Sequence, residues 1–363
     1  MNCGSIQRSC RISSARWRNS AKPSRRILPS TANSWISSAA SSSTASPASP
    51  PDPSKIRKGA SGLRRRPSCF SRNLSQPSRP SSPHPTAQEH LLPVKPKSWE
   101  TYRVPPGKKV RLAKVPADAT DLCDDKSTAR KRLKHLRKQI NALAETLAIE
   151  NQRSLLVILQ GMDASGKDGA VKKVFTGVNP QHCRVVSFKQ PDREEREHDY
   201  LWRIYRALPA KGELGIFNRS QYEDVVTLHA RGILTRKQAH LRLRQICDVE
   251  RTWVENGIVL RKLFLHISRD EQTRRFQARL DTPEKHWKVQ QSDFEDRRRW
   301  PAFQSAYEHI LARTSTKEAP WYILPADHKW YRDLAVAEIV LSALHSMRPR
   351  IPMSRLDRTR LKL

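Results

Sequence analysis

Acidic residues are nearly absent from the first 90 positions, where Asp52 and Glu89 stand against fifteen Lys and Arg. Long apolar runs are absent throughout. No segment reaches the ~18–20 residues that a membrane span needs, and the start lacks the apolar stretch of roughly 7–15 residues that marks a signal peptide, so no membrane partner is expected. The six cysteines (Cys3, Cys10, Cys69, Cys123, Cys183, Cys247) lie far apart with no C-x-x-C pair. That spacing excludes a clustered zinc site and points to free thiols in a reducing, cytoplasmic compartment. Zinc-finger and RNA-recognition signatures are missing, which argues against a nucleic-acid partner. There is no internal repeat, and no methionine between Met1 and Met162.

What the chain does have is positive charge. Of a net +33 over 363 residues, the first 90 contribute +13, leaving +20 on the remainder. A cationic body implies a polyanionic partner. Residues 1–90 are rich in Ser, Pro and Arg and cannot bury enough apolar surface to offset their ordering entropy, so they are expected to be disordered. The favoured reading is an over-extended start, with the native protein beginning later at a non-Met codon. A basic arm and a targeting segment are the alternatives. Residues 91–348 are expected to form the folded domain, and 349–363 a basic tail.

Within that domain, Leu133, Leu136, Ile140, Leu143 and Leu147 recur at helical spacing and predict a helix over 126–149. Its outer face carries Arg130, Lys131, Lys134 and Lys138. Leu155 to Leu159 read as a strand buried on both faces. Further strands are expected at 185–188, 214–217, 258–267 and 321–324, with Lys262 marking a bend or an edge. Helices are expected at 193–208, 235–256 (capped by Thr235) and 331–344, with a helical stretch over 270–309 interrupted near Pro283 and Pro301. In the 193–208 helix, Tyr200, Leu201, Ile204, Tyr205 and Leu208 are expected to face inward. Strands alternating with helices predict a parallel sheet covered on both faces.

Gly161-x-x-x-x-Gly166-Lys167 follows the first apolar strand and opens a helix, which is the context a phosphate-binding loop requires. The glycines let the backbone wrap closely, amide groups of Gly161, Ala164, Ser165, Gly166 and Gly169 can face phosphate oxygens, and Lys167 neutralises charge on a transferring group. Asp168 replaces the usual Ser or Thr, so a metal must be held differently. Asp163 is the natural ligand, since a carboxylate facing phosphates needs a cation between them; a plain turn residue is the competing reading.

The loop 161–169, with Phe217-Asn218-Arg219-Ser220-Gln221-Tyr222-Glu223-Asp224-Val225, resembles the Walker A and Walker B elements of family-2 polyphosphate kinases. Tyr102 to Gly107, Asp296 to Trp300, Ala306 to Glu308, Ala319 to Tyr322 and Pro325 to Tyr331 agree in order, so the resemblance spans about Trp99 to Leu344. It implies a three-layer α/β/α P-loop kinase fold with a helical lid at about 270–310. It also implies transfer of a terminal phosphoryl group between inorganic polyphosphate and a nucleoside mono- or diphosphate with Mg²⁺ or Mn²⁺. By the same resemblance Asp163 and Glu223 lie at the metal, Asp163, Lys167, Arg219 and Arg279 are catalytic, and Asp168 and Asn218 line the phosphate site. Asn218 stands where Asp is common, as in the branch that accepts AMP, ADP or both, with GMP and GDP as further acceptors to test. A homo-oligomer is expected. Lys189 and Lys288 are the preferred polyphosphate cations, ahead of Lys285, Arg298, Arg299 and Lys329, while Trp287, Trp300 and Trp321 are expected to pack in core or lid. The competing functions are an ATP-dependent nucleoside monophosphate kinase on the same fold and a basic nucleic-acid-binding protein.

Overall fold

A computed structural model describes residues 99–353, so the expectations for 1–90 and for most of the basic tail lie outside the described residues. Asp125 caps the first helix through the amides of Ser127 and Thr128, and α1 (Lys126–Glu150) ends on Asn151 in the left-handed region. Leu136, Ile140 and Leu147 are buried along its inner face, with Leu133 and Leu143 packed beside them. Across the first core α1 packs against the last helix, α10 (Lys329–Met347), most of which is buried.

Five parallel strands form one sheet: β1 (Ser154–Gln160), β2 (Cys183–Ser187), β3 (Leu214–Asn218), β4 (Ile258–His266) and β5 (Trp321–Pro325), in the order β2-β3-β1-β4-β5. Parallel neighbours require crossovers, and here the crossovers are helices on both faces. One face carries α1, α2 (Lys167–Val174) and α10; the other carries the core of α5 (Glu223–Ala230), α6 (Arg236–Glu255) and α9 (Trp300–Thr314). This is the expected three-layer α/β/α arrangement. The chain order places the first crossover, the phosphate loop, at the carboxyl end of the central strand, where β1 parts from β3 and β4.

Several elements differ from the sequence expectation. The helix expected at 193–208 is two helices, α3 (Arg193–Glu197) and α4 (Trp202–Ala207), because Asp199 turns its carboxylate onto the amide of Leu201 at 2.9 Å and starts a new turn. Tyr205 is consequently 48% exposed and not inward. The helix α5 was not anticipated. Lys262 marks neither a bend nor an edge: it lies fully buried in the middle of β4, 2.6 Å from Glu250 of α6 and 2.6 Å from the carbonyl of Thr314. Tyr222 completes that network, donating to Glu250 at 2.7 Å. The interruption expected near Pro301 is present: one helix ends at Arg298 and the next, α9, carries Pro301 in its first turn, where a missing N–H costs nothing.

The expected lid region comprises α7 (Arg269–Leu280), a short 3-10 helix (Pro283–Lys288) and α8 (Gln291–Arg298), followed by α9. α9 belongs to the core, since Phe303, Ala306, Tyr307, Ile310 and Leu311 are buried. Trp321 is buried and Trp300 half-buried, but Trp287 is 75% exposed at the tip of the region, under Lys288, and packs in no core. No helix among the described residues is long and apolar enough to cross a membrane. Cys123, Cys183 and Cys247 are free thiols.

Candidate active site

The loop from Gly161 to Gly166 leaves β1 and enters α2 with Lys167 at its first position. Three of its residues have positive φ, beginning with Gly161 at +153°, where a Cβ would meet the Leu265 carbonyl oxygen. Gly166 has φ +98°, and a Cβ there would overlap the guanidinium of Arg332. Ala164 adopts φ +62° despite its side chain, a conformation that costs of order 1–3 kcal/mol and persists only when the surroundings enforce it. Lys167 is buried and curls back, its Nζ donating to the carbonyls of Gly161 at 2.8 Å and Met162 at 3.2 Å. Burial, and then the nearby Arg219 charge, push its pKa down.

Asp163 and the end of β3 face each other across this loop. Arg219, also left-handed at φ +65°, sends Nη2 to the Asp163 carboxylate at 2.7 Å and Nη1 to Glu223 at 3.1 Å. Glu223 chiefly, and then Asp163, hold the guanidinium in its charged form. Glu223 is fixed in turn by Gln160 at 2.5 Å and by Thr227 at 3.1 Å. Beside them Asn218 donates to the Asp168 carboxylate at 2.7 Å and to Ser187 at 3.3 Å. The structure therefore brings together Asp163, Lys167 and Asp168 from one segment with Asn218, Arg219 and Glu223 from another.

The remaining sequence candidates stand further off. Lys189 is exposed just past the end of β2, and its carbonyl is held by Arg203 at 2.8 Å. Lys288 is exposed at the end of the 3-10 helix. Arg279 touches neither loop nor carboxylates: its Nη1 donates to the Lys288 carbonyl at 3.2 Å, and its guanidinium lies over the Phe276 ring. It does act electrostatically on Asp293 of α8, whose pKa is raised by burial and then by Asp163, and lowered in part by Arg279 and Arg219.

Several side chains around the loop carried no signal in the sequence, among them Gln160, Tyr307, Arg275 and Arg332. Gln160 and Tyr307 lie under Glu223, with the Tyr307 phenol hydrogen-bonded to Gln160 and driven well up in pKa by burial. Arg275 and Arg332 grip the loop from behind: Arg275 donates to the carbonyls of Ala164 and Ser165, and Arg332 reaches Ser165 at 3.4 Å. The last two lie 110 or more positions away in sequence, so no local pattern announced them.

No group of three or more His, Cys, Asp or Glu among the described residues forms a metal cluster. What the site offers is hard oxygen: Asp163 and Glu223, on either side of one guanidinium. That set suits a divalent cation such as Mg²⁺, which takes one or two carboxylates and completes its shell with water and phosphate oxygens. Amides, one buried lysine and an arginine between two carboxylates are the equipment for positioning phosphates and stabilising charge as one of them moves.

The Polyphosphate kinase 2 family model matches residues 123–352. The chain is 43% identical over 252 residues to the AMP/ADP-polyphosphate phosphotransferase of Meiothermus ruber, covering 69% of this chain and 94% of that protein. It is 38% identical over 263 residues to the ADP-polyphosphate phosphotransferase of Rhodopseudomonas palustris, covering 69% and 91%. The crystal structure of polyphosphate kinase 2 from Arthrobacter aurescens TC1 superposes with a TM-score of 0.69 at 37% identity, over 72% of this chain and 93% of that one.

Proposed function

The chain belongs to the polyphosphate kinase 2 family, and from that premise we propose that it transfers a terminal phosphoryl group between inorganic polyphosphate and AMP or ADP. The observation that carries this reading is the meeting of the 161–167 loop with the Asp163–Arg219–Glu223 array at the carboxyl end of the sheet. The resemblance to relatives named for AMP/ADP and ADP supports adenine nucleotides as acceptors. A relative in Mycobacterium tuberculosis named GDP-polyphosphate phosphotransferase, 35% identical over 190 residues, keeps GMP and GDP among the acceptors to be tested.

In this mechanism the loop amides and Lys167 hold one set of phosphates, and Arg219 stabilises charge on the group in transit. Asp163 and Glu223 would hold Mg²⁺ or Mn²⁺, which when bound screens the phosphates from one another and from the carboxylates. Asp163 is then the side chain that orients the acceptor phosphate, and Gln160 and Tyr307 keep Glu223 in place. Arg279, on the distal half of α7, is the charge that approaches when substrate draws that segment inward. Lys189 and Lys288, at the strand ends and on the lid, extend the cationic path for the polymer. A cytoplasmic homo-oligomer without membrane attachment is part of the same reading; the free thiols of Cys123, Cys183 and Cys247 support only the reducing compartment.

Side-by-side turnover of AMP, ADP, GMP and GDP with polyphosphate and Mg²⁺ tests the acceptor class. Adenine nucleotides should be phosphorylated faster than guanine nucleotides by at least severalfold. A preference for GDP over both AMP and ADP would reverse the assignment.

A further inference from the structure

Two residues one turn apart on α7, Gln272 and Arg275, are buried at 1% and 7% exposure and face the back of the phosphate loop. Gln272 Nε2 donates to the carbonyl of Asp163 at 2.9 Å. Arg275 Nη1 donates to the carbonyls of Ala164 and Ser165, both at 2.9 Å. With Lys167 holding the carbonyls of Gly161 and Met162, every carbonyl from Gly161 to Ser165 is fixed by a side-chain donor.

In a planar trans peptide, the carbonyl of one residue and the amide N–H of the next point in opposite directions. Fixing those five carbonyls behind the loop therefore aims the amides of residues 162–166. The Ser165 amide is used within the loop, on Met162 at 3.1 Å. Those of Met162, Asp163, Ala164 and Gly166 have no acceptor among the described residues. Successive free amides in a turn containing left-handed residues make an anion-binding concavity.

We propose that Gln272 and Arg275 are positioning residues that hold these amides in the orientation that binds phosphate, and that the first half of α7 is a fixed part of the site and not of a moving lid. This rests on the loop being the phosphate site, as proposed above.

The chemistry of Arg275 fits no looser role. A guanidinium has five N–H donors, and all are spent: on Glu271 at 2.8 Å, on Ala164 and Ser165, and on the carbonyls of Ala326 at 2.6 Å and Asp327 at 2.8 Å. Lysine has three donors and no planar fork, so it cannot reproduce the set. One side chain thereby ties the loop, α7 and the turn after β5 together. Gln272 adds a second tie, because its Oε1 accepts from Arg297 of α8 at 2.7 Å while its Nε2 holds the loop. A segment that moved with the lid would break five hydrogen bonds to backbone carbonyls at each cycle, three of them fully buried. Beyond Phe276 the side chains are exposed or half-exposed up to Gln290, and the moving part is placed there.

The test is steady-state kinetics on the full chain with polyphosphate and ADP, comparing wild type with Q272M, R275K and Q277A. Gln277 lies on the same helix, is exposed and bonds only to Asp281. Loss of an aimed amide removes binding shared by ground and transition states, so KM for polyphosphate or for ADP should rise about tenfold per lost hydrogen-bond donor while kcat changes much less. Q277A should match wild type. A purely structural role would lower kcat with the folded fraction and leave KM unmoved, and unchanged KM values in Q272M and R275K would overturn the proposal. Should R275K fail to fold by circular dichroism, Q272M decides alone, since it leaves every Arg275 contact in place. Wild type that turns over no polyphosphate would sink the functional reading instead. The clamp is then tested by calorimetric binding of tripolyphosphate, which Q272M should weaken about tenfold and which equal affinity would contradict.

Discussion

The amide of Asn218 donates to the carboxylate of Asp168 at 2.7 Å, so the two positions at which this site departs from the usual phosphate-loop pattern are bonded to each other. Asp168 stands where a hydroxyl is usual and Asn218 where an aspartate is common, and each makes the other tolerable. With aspartate at 218, two carboxylates would face each other at hydrogen-bonding distance and would need a proton or a cation between them.

Asn218→Asp should therefore destabilise the metal-free protein by about 1 kcal/mol, a fall in Tm of about 2–4 °C in EDTA. Added Mg²⁺ should restore it, and the exchanged pair N218D/D168N should need no restoration. Differential scanning fluorimetry with and without Mg²⁺ reads both. An N218D Tm equal to wild type in EDTA would mean that the pair contributes nothing.

Lys167→Ala removes a buried donor from two loop carbonyls and the cation from the phosphate site. Turnover should fall on the order of 10³-fold, as for loss of a preorganised transition-state donor, with the far-UV spectrum unchanged. Activity within about tenfold of wild type, a margin near 1.4 kcal/mol, would contradict the loop assignment.

The pair Lys262–Glu250 predicts a stability effect remote from the chemistry. Both side chains are buried, 2.6 Å apart. Removing one partner strands the other, which costs about 3–5 kcal/mol, whereas replacing both with apolar residues costs far less. Urea titration should show K262M well below wild type and K262M/E250L recovering most of the loss. Equal stability of wild type and K262M would refute the pairing.

His309 gives a pH signature. Its ring stacks on His240 at 4.5 Å, and burial, then the charges of His240, Arg313, Arg236 and His229, push its pKa down from 6.5 to about 4. The unfolded chain therefore binds more protons between about pH 6.5 and 4, and stability contributed at this position falls as pH drops through that window. His309→Phe keeps the stack and removes the proton. Its Tm should decline less steeply than wild type between pH 7 and 4, and parallel slopes would contradict the assignment.

The parts of the fold that sequence revealed are those written in local periodicity. The stripe from Leu133 to Leu147, the apolar run of β1 and the Thr235 cap each sit where the pattern put them. The loop and Asn218-Arg219-Ser220 were legible for the same reason, as contiguous motifs. What escaped depends on contacts between distant segments. Lys262 looked like a bend or an edge because its carboxylate partner, Glu250, lies outside the strand, on α6. Arg275 and Gln272 belong to no motif, and only the fold lays them against carbonyls 109–111 positions earlier. Trp287 looked like packing because tryptophan usually is, and only its surroundings show it exposed.

Polyphosphate as phosphoryl donor is the central claim. The most direct measurement incubates the purified chain with ADP, Mg²⁺ and polyphosphate as the sole donor, follows ATP by luciferase, and runs K167A and R219A beside it. Wild type should form ATP steadily and either variant almost none. No ATP from polyphosphate, together with phosphorylation of AMP when ATP is the donor, would contradict it and make this an ATP-dependent nucleoside monophosphate kinase.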